Sequence, residues 1–188
     1  MVRVIEAPLP GVMLLAPQVI KDHRGFFMES YSRRRLAEIG IDRYFVQDNH
    51  SRSVQGVLRG LHYQLGQPQA KLVRATRGRV YDVVVDVRRG SPTFGRWAGA
   101  ELSEDNHLIL FAAEGFAHGF LVLSEVAEFQ YKCSDFYNRE EERGLAWNDP
   151  KIGIEWPLNG GEPVLSDRDR QWGPFAEVAE EDLPLYTP

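Results

Sequence analysis

The chain is divided at close intervals into short runs of β-type residues. GVMLL (11–15), FFMESY (26–31), VLRGLHYQL (57–65), KLVRAT (71–76), RVYDVVVDVR (79–88), RWAGAEL (96–102), HLILFA (107–112), GFLVLS (119–124) and EFQYKCS (128–134) are separated by Gly, Pro, Asn or Asp. β-branched and aromatic residues suit a pleated backbone, and the residues between them suit turns. Many short strands at this spacing predict an all-β fold, a sandwich or barrel of the jelly-roll type. Only SRRRLAEI (32–39) reads as a helix, with Ser32 as N-cap and Gly40 as its stop, and Arg33, Arg34 and Arg35 forming a solvated face.

At 188 residues, the length suits one domain over 1–188. From Asn148 onward the sequence turns to Pro, Gly and acidic residues, which predicts an ordered tail packed on the barrel, with EEDLPLYTP at its end expected to fray. A net charge of −5 offers no broad attraction to nucleic acid, so an anionic ligand would need a local basic cluster. The longest apolar run, Leu108 to Leu123, is broken by Glu114, Gly115, His118 and Gly119 and is too short to span a bilayer as a helix. MVRVIEAPLPG lacks a secretory pattern, and Cys133, the lone cysteine, has no partner for a disulfide; both lead to the expectation of a cytoplasmic protein.

Alternation along strands sorts the faces. Tyr81, Val83, Val85 and Val87 form a continuous apolar set, with Asp82 and Asp86 on the other face beside Val80 and Val84. Lys71 shares a face with Val73 and Ala75, Tyr131 with Phe129 and Cys133, and His62 with Leu58, Gly60 and Gln64. Read singly, these are a satisfied core histidine, a snorkelling lysine and a buried tyrosine. An inward lysine is costly without a partner, and if the three faces line one barrel the three side chains converge. Asp82 is a candidate partner for Lys71.

FAAEGFAHGF (111–120) is a glycine-bounded turn that delivers a second histidine, His118. With His62 it resembles the two-motif layout of cupins, small barrels that often hold a metal. The first motif here is depleted, because Gln64 stands where another histidine ligand would be and LGQPQAK (65–71) contains no carboxylate. Two histidines without a third good ligand make a poor transition-metal site, so a metal is not expected. What remains is acid/base chemistry: a histidine base, a lysine to hold charge developing on oxygen, and a tyrosine acid. Together they suit proton abstraction beside a ketone and its return from the other side. A metal-dependent cupin and a non-catalytic binding module are the competing classes.

The segments DHRGFFMESY (22–31), FVQDNHSRSVQGVLRGLHYQ (45–64), QAKLVRATRGRVYDVVVDVRRGSPTFGRW (69–97), EGFAHGF (114–120), DPKIGIEWP (149–157) and LSDRD (165–169) run in order along nearly the whole chain. On these segments the chain resembles the dTDP-4-dehydrorhamnose 3,5-epimerase family. The resemblance implies a cupin-like jelly-roll homodimer that inverts carbons 3 and 5 of dTDP-4-dehydro-6-deoxy-D-glucose without a cofactor. It further implies His62 as base with Asp169 as its partner, Lys71 stabilising the enolate oxygen and Tyr131 as acid. Arg24, Arg59 and His118 would contact pyrophosphate or sugar, with Gln47 and Asn49 alongside. Phe27 and Glu29 would reach the nucleotide across the dimer interface, and Tyr137 the diphosphate or base. Relatives that invert only carbon 3 or only carbon 5 carry nearly the same set, so single epimerisation is the alternative.

Two residues depart from simple expectation. Strict alternation puts Arg59 opposite His62, so both reach one site only if the strand starts or bulges near Gly60, where glycine suits a bulge. Ala113 stands where relatives commonly carry proline, a change expected to loosen the turn before His118.

Overall fold

The computed structural model describes residues 2–158 and 160–187. Its strands are β1 (Val2–Leu9), β2 (Val12–Pro17), β3 (Val19–Asp22), β4 (Gly25–Met28), β5 (Gln47–Val54), β6 (Leu58–Gln64), β7 (Lys71–Arg77), β8 (Arg79–Asp86), β9 (Trp97–Ser103), β10 (Ile109–Ala112), β11 (Phe116–Val122), β12 (Val126–Cys133) and β13 (Glu142–Gly144). One helix, α1 (Arg33–Ala37), lies between β4 and β5. It ends as expected at Gly40, whose φ of +90° lets the Ile41 N–H reach back to the Leu36 carbonyl. Ser32 precedes the helix in an extended conformation but makes no side-chain cap.

The strands form a six-stranded sheet in the order β1-β2-β10-β7-β12-β5, a five-stranded sheet in the order β13-β6-β11-β8-β9, and the hairpin β3-β4. Each large sheet keeps two edge strands that pair on one side only. Of the sandwich or barrel expected from the sequence, the jelly-roll architecture is the sandwich form, two open sheets face to face and not a closed barrel. Closure would require the edge strands of one sheet to pair with those of the other.

The space between the sheets is filled by Val73, Ala75, Leu110 and Phe129 from one side and by Val80, Val84, Leu102 and Phe120 from the other. Both outer faces are covered in part as well. Leu36 of α1 and Ile41 pack on Leu15, Leu72, Ile109 and Phe111, while Leu145, Ile152 and Leu183 cover Leu61, Val83, Val85 and Val87. Two-sided burial explains the run of valines in β8. The continuous apolar face of that strand is the one under the tail, and the face bearing Asp82 looks into the space between the sheets.

The tail does not fray over its described length. A parallel bridge joins Arg89 to Leu185, the Tyr63 hydroxyl donates to the Asp182 carbonyl at 2.9 Å, and Tyr186 N–H donates to the Arg89 carbonyl at 3.0 Å. Pro188, the last residue of the segment expected to fray, lies outside the described residues. Ala113 likewise tightens its turn, because its N–H donates to the Gly11 carbonyl at 2.8 Å, a bond that proline could not make. Among the described residues no helix is long and apolar enough to cross a membrane.

Candidate active site

A cavity of about 530 Å³ opens between the two sheets at one end of the core. Its polar wall is built by alternation. In β5, Gln47, Asn49 and Ser51 point inward, and β12 supplies Tyr131 and Cys133. Lys71 begins β7, while His62 and Arg59 come from β6 and His118 from β11.

Of the two ways to bring Arg59 and His62 together, a strand start or a bulge near Gly60, β6 takes the bulge. Its pairing with β11 shifts between His118↔His62 and Phe120↔Arg59, and Gly60 between them has φ +125°. The extra residue turns Arg59 and His62 into the same cavity. Glycine is also needed for space, since a Cβ at position 60 would lie 2.5 Å from Gly119 Cα and 2.8 Å from the His118 carbonyl oxygen.

His62 Nε2 is 2.5 Å from Asp169 Oδ1, leaving Nδ1 as the second ring nitrogen for proton exchange. Asp169 comes from the tail, at the start of a 3-10 turn over Asp169–Gln171, and is 5% exposed. Burial pushes its carboxyl up, but the hydrogen bond and charge of His62, with the Ser166 hydroxyl, outweigh that, and its pKa lies below the ordinary aspartate value. Trp172 stands edge-on to the His62 ring, with centroids 6.3 Å apart, and packs over Gly144, where a Cβ would collide with its indole.

On the opposite side, burial raises the Tyr131 phenol above its ordinary pKa, keeping it protonated over a wide range. Burial lowers the Lys71 ammonium, opposed by Cys133, Glu142 and Asp82. The expected pairing of Lys71 with Asp82 is not formed. Asp82 Oδ2 instead accepts from His118 Nε2 at 2.8 Å, because Asp82 and His118 sit on the adjacent strands β8 and β11 of one sheet whereas Lys71 belongs to the other. Asp82 Oδ1, fully buried, has no partner among the described residues.

Gln47 and Asn49 are hydrogen-bonded to each other at 3.0 Å, and Gln47 Oε1 also accepts the Tyr137 N–H at 3.0 Å. Tyr137 donates to Glu142 Oε2 at 3.2 Å and accepts from Arg168, which is ion-paired to Glu142. Arg59 Nε donates to Ser53 Oγ at 3.0 Å. Arg24, Phe27 and Glu29 do not join this cavity within the chain. They belong to the hairpin region, where Arg24 is held to Asp22 at 2.6 Å, Phe27 is 70% exposed and Glu29 pairs with Arg35 at 2.9 Å.

Arg168, Glu142, Ser51, Ser166 and Gln69 line the cavity without having been anticipated. For Arg168 and Ser166 the signal was present in LSDRD (165–169), next to the anticipated Asp169. Glu142 is on a three-residue strand without a pattern of its own. Gln64, which stands where a metal-binding cupin was expected to carry a histidine, is a brace. Its amide donates to the Gln67 and Phe136 carbonyls and accepts the Asn138 N–H, fixing the segment that carries Tyr137. Among the described residues no group of three or more His, Cys, Asp or Glu side chains is placed to hold a metal, and Nε2 of both His62 and His118 is engaged by a carboxylate.

A sequence model described as dTDP-4-dehydrorhamnose 3,5-epimerase matches residues 6–177. The chain is 57% identical over 171 residues to the Pseudomonas aeruginosa dTDP-4-dehydrorhamnose 3,5-epimerase, covering 90% of this chain and 94% of the relative. A dTDP-6-deoxy-D-glucose-3,5-epimerase from Legionella pneumophila, solved in complex with dTDP-4-keto-L-rhamnose, superposes with a TM-score of 0.97 at 45% identity over 100% of both chains. A 3'-monoepimerase from Streptomyces bikiniensis in complex with dTDP-quinovose superposes with a TM-score of 0.89 at 36% identity, over 96% of this chain and 92% of that one.

Proposed function

The chain belongs to the dTDP-4-dehydrorhamnose 3,5-epimerase family, and from that premise we propose that it inverts carbons 3 and 5 of dTDP-4-dehydro-6-deoxy-D-glucose to give dTDP-4-dehydro-L-rhamnose. The observation that carries this reading is that a carboxylate-bound histidine, on β6 of one sheet, and a partly buried tyrosine, on β12 of the other, line the same cavity. Binding alone needs no base and acid on facing walls; inversion at a carbon needs both.

In this reading His62 Nδ1 takes the proton from the carbon beside the carbon-4 ketone. The C–H electron pair moves into the C–C bond, and charge develops on the ketone oxygen as the enolate forms. Asp169, bound to Nε2, fixes the tautomer and offsets the imidazolium charge. Lys71 holds the enolate oxygen. Tyr131 then gives its proton to the opposite face of the carbon; its phenolate recovers one from solvent and the His62 imidazolium releases one to it. Arg59, with Arg168 of the same cavity, suits the diphosphate, because guanidinium groups bind phosphate oxygens in pairs. His118, Gln47, Asn49 and Tyr137 line the rest of the nucleotide-sugar site. The hairpin β3-β4 exposes Ile20, Phe26 and Phe27, which suits burial in a homodimer that brings Arg24, Phe27 and Glu29 to the partner's cavity. Cys133, unpaired, suits a reducing cytoplasmic compartment.

The test is proton NMR of dTDP-4-dehydro-6-deoxy-D-glucose incubated in deuterated water with chelator-treated protein. Deuterium is expected at carbons 3 and 5 without added metal. Entry at a single carbon would instead assign a mono-epimerase, and no exchange would overturn the catalytic reading.

A further inference from the structure

Ser166 belongs to none of the roles above, yet both ends of its hydroxyl are committed to Asp169. Its Oγ accepts the Asp169 N–H at 3.1 Å and donates to Asp169 Oδ2 at 2.8 Å, while Oδ1 faces His62 Nε2. A serine hydroxyl has one proton to give, and this one goes to the carboxylate oxygen that the histidine does not use. The terminal torsion of an aspartate is soft and broad, so the packing of the backbone does not by itself fix the plane of the carboxylate. With Oδ2 held by Ser166 and Oδ1 by His62, the plane is defined from both sides. Loss of the hydroxyl would leave Oδ2 of a 5%-exposed carboxylate short of a donor. The charged groups around Asp169 are His62 and Arg59 of β6 and Arg168 of the tail; Arg59 is hydrogen-bonded to Ser53, and Arg168 is engaged by Tyr137 and Glu142, not by Oδ2.

We propose that Ser166 is a positioning residue for proton transfer: its hydroxyl orients the Asp169 carboxylate so that Oδ1 stays aligned on His62. This rests on the function proposed above, in which His62 is the base. A plain turn cap would also use the Ser166 oxygen, but only as an acceptor, and the two roles separate in what Asp169 feels.

The experiment follows the Asp169 side-chain carboxyl by 13C NMR through a pH titration, in wild type, Ser166→Ala and Ser166→Thr, with Asp169→Asn assigning the signal. kcat and KM are measured on the same three proteins. In Ser166→Ala the Asp169 midpoint is expected to rise by about one pH unit, the worth of one hydrogen bond to a charged group, and kcat to fall about tenfold with KM unchanged. The acid limb of the kcat/KM profile moves to higher pH with it. Ser166→Thr, which keeps the hydroxyl, restores all three. Should Ser166→Ala not fold, Ser166→Cys fills the volume with a weak donor and takes the same readings. An unmoved midpoint or kcat in Ser166→Ala, or a threonine variant as impaired as the alanine one, overturns the proposal. A wild type inactive on the dTDP-sugar would refute the proposed function instead, and the titration, which needs no substrate, would still decide the coupling of Ser166 to Asp169.

Discussion

In the proposed function His62 removes a proton and Tyr131 returns one, so the loss of each should act differently. His62→Ala is expected to stop deuterium exchange at both carbons and to lower turnover by about 10²–10⁴-fold, the range for loss of a general base. Tyr131→Phe keeps the base and is expected to permit exchange while impairing inversion, so that deuterium returns with the original stereochemistry. Wild-type-like turnover in His62→Ala would overturn the assignment. These two residues, with Lys71, were legible from alternation alone, since each sits among apolar neighbours on an inward face. Asp169 was not, except through the family resemblance. It is 107 residues from His62, in a tail of turns with no period to read. The pairing of Lys71 with Asp82 failed for a related reason: alternation says which face a side chain takes, not which strand lies beside it.

At the scale of elements, β5 shows why a strand can escape a hydrophobicity reading. QDNHSRSV is polar on both faces because its inward residues line a cavity instead of a core. β1 escaped because it is an edge strand, exposed along most of its length, with a proline near its end. The turn between β10 and β11 gives an element-level prediction. Ala113→Pro removes the bond to the Gly11 carbonyl, which joins the turn to the loop before β2. Proline also lowers the entropy of the unfolded chain, which offsets part of that loss. A net destabilisation of about 1 kcal/mol is expected in urea unfolding, because an acceptor left unpaired costs more than the offset. A variant more stable than wild type would contradict this.

The whole molecule is a pair of sheets clasped by its own C-terminal tail, and the clasp also delivers Asp169 to the cavity. One of its fastenings titrates. Burial, with the Asp182 charge adding to it, raises the Tyr63 phenol to about 12, and its hydroxyl holds the Asp182 carbonyl. A group whose folded pKa is raised contributes stability below its unfolded value and loses it as pH climbs through the folded one. Stability should therefore fall between about pH 10 and pH 12, by an amount on the order of 2 kcal/mol, and Tyr63→Phe should flatten that part of the profile. Denaturant midpoints across this range check it; an identical alkaline loss in Tyr63→Phe would place the titrating group elsewhere.

By itself the sequence determined the all-β class, the positions of most strands along the chain and the inward set His62, Lys71 and Tyr131, because pleat, turn chemistry and burial act over a few residues. Only the tertiary structure decided that the sheets stay open, that β8 turns its carboxylates inward and its valines under the tail, and that His118 takes Asp82 while His62 takes Asp169. Those outcomes depend on which strands become neighbours and where the tail docks, contacts between residues far apart in the chain that no local period records.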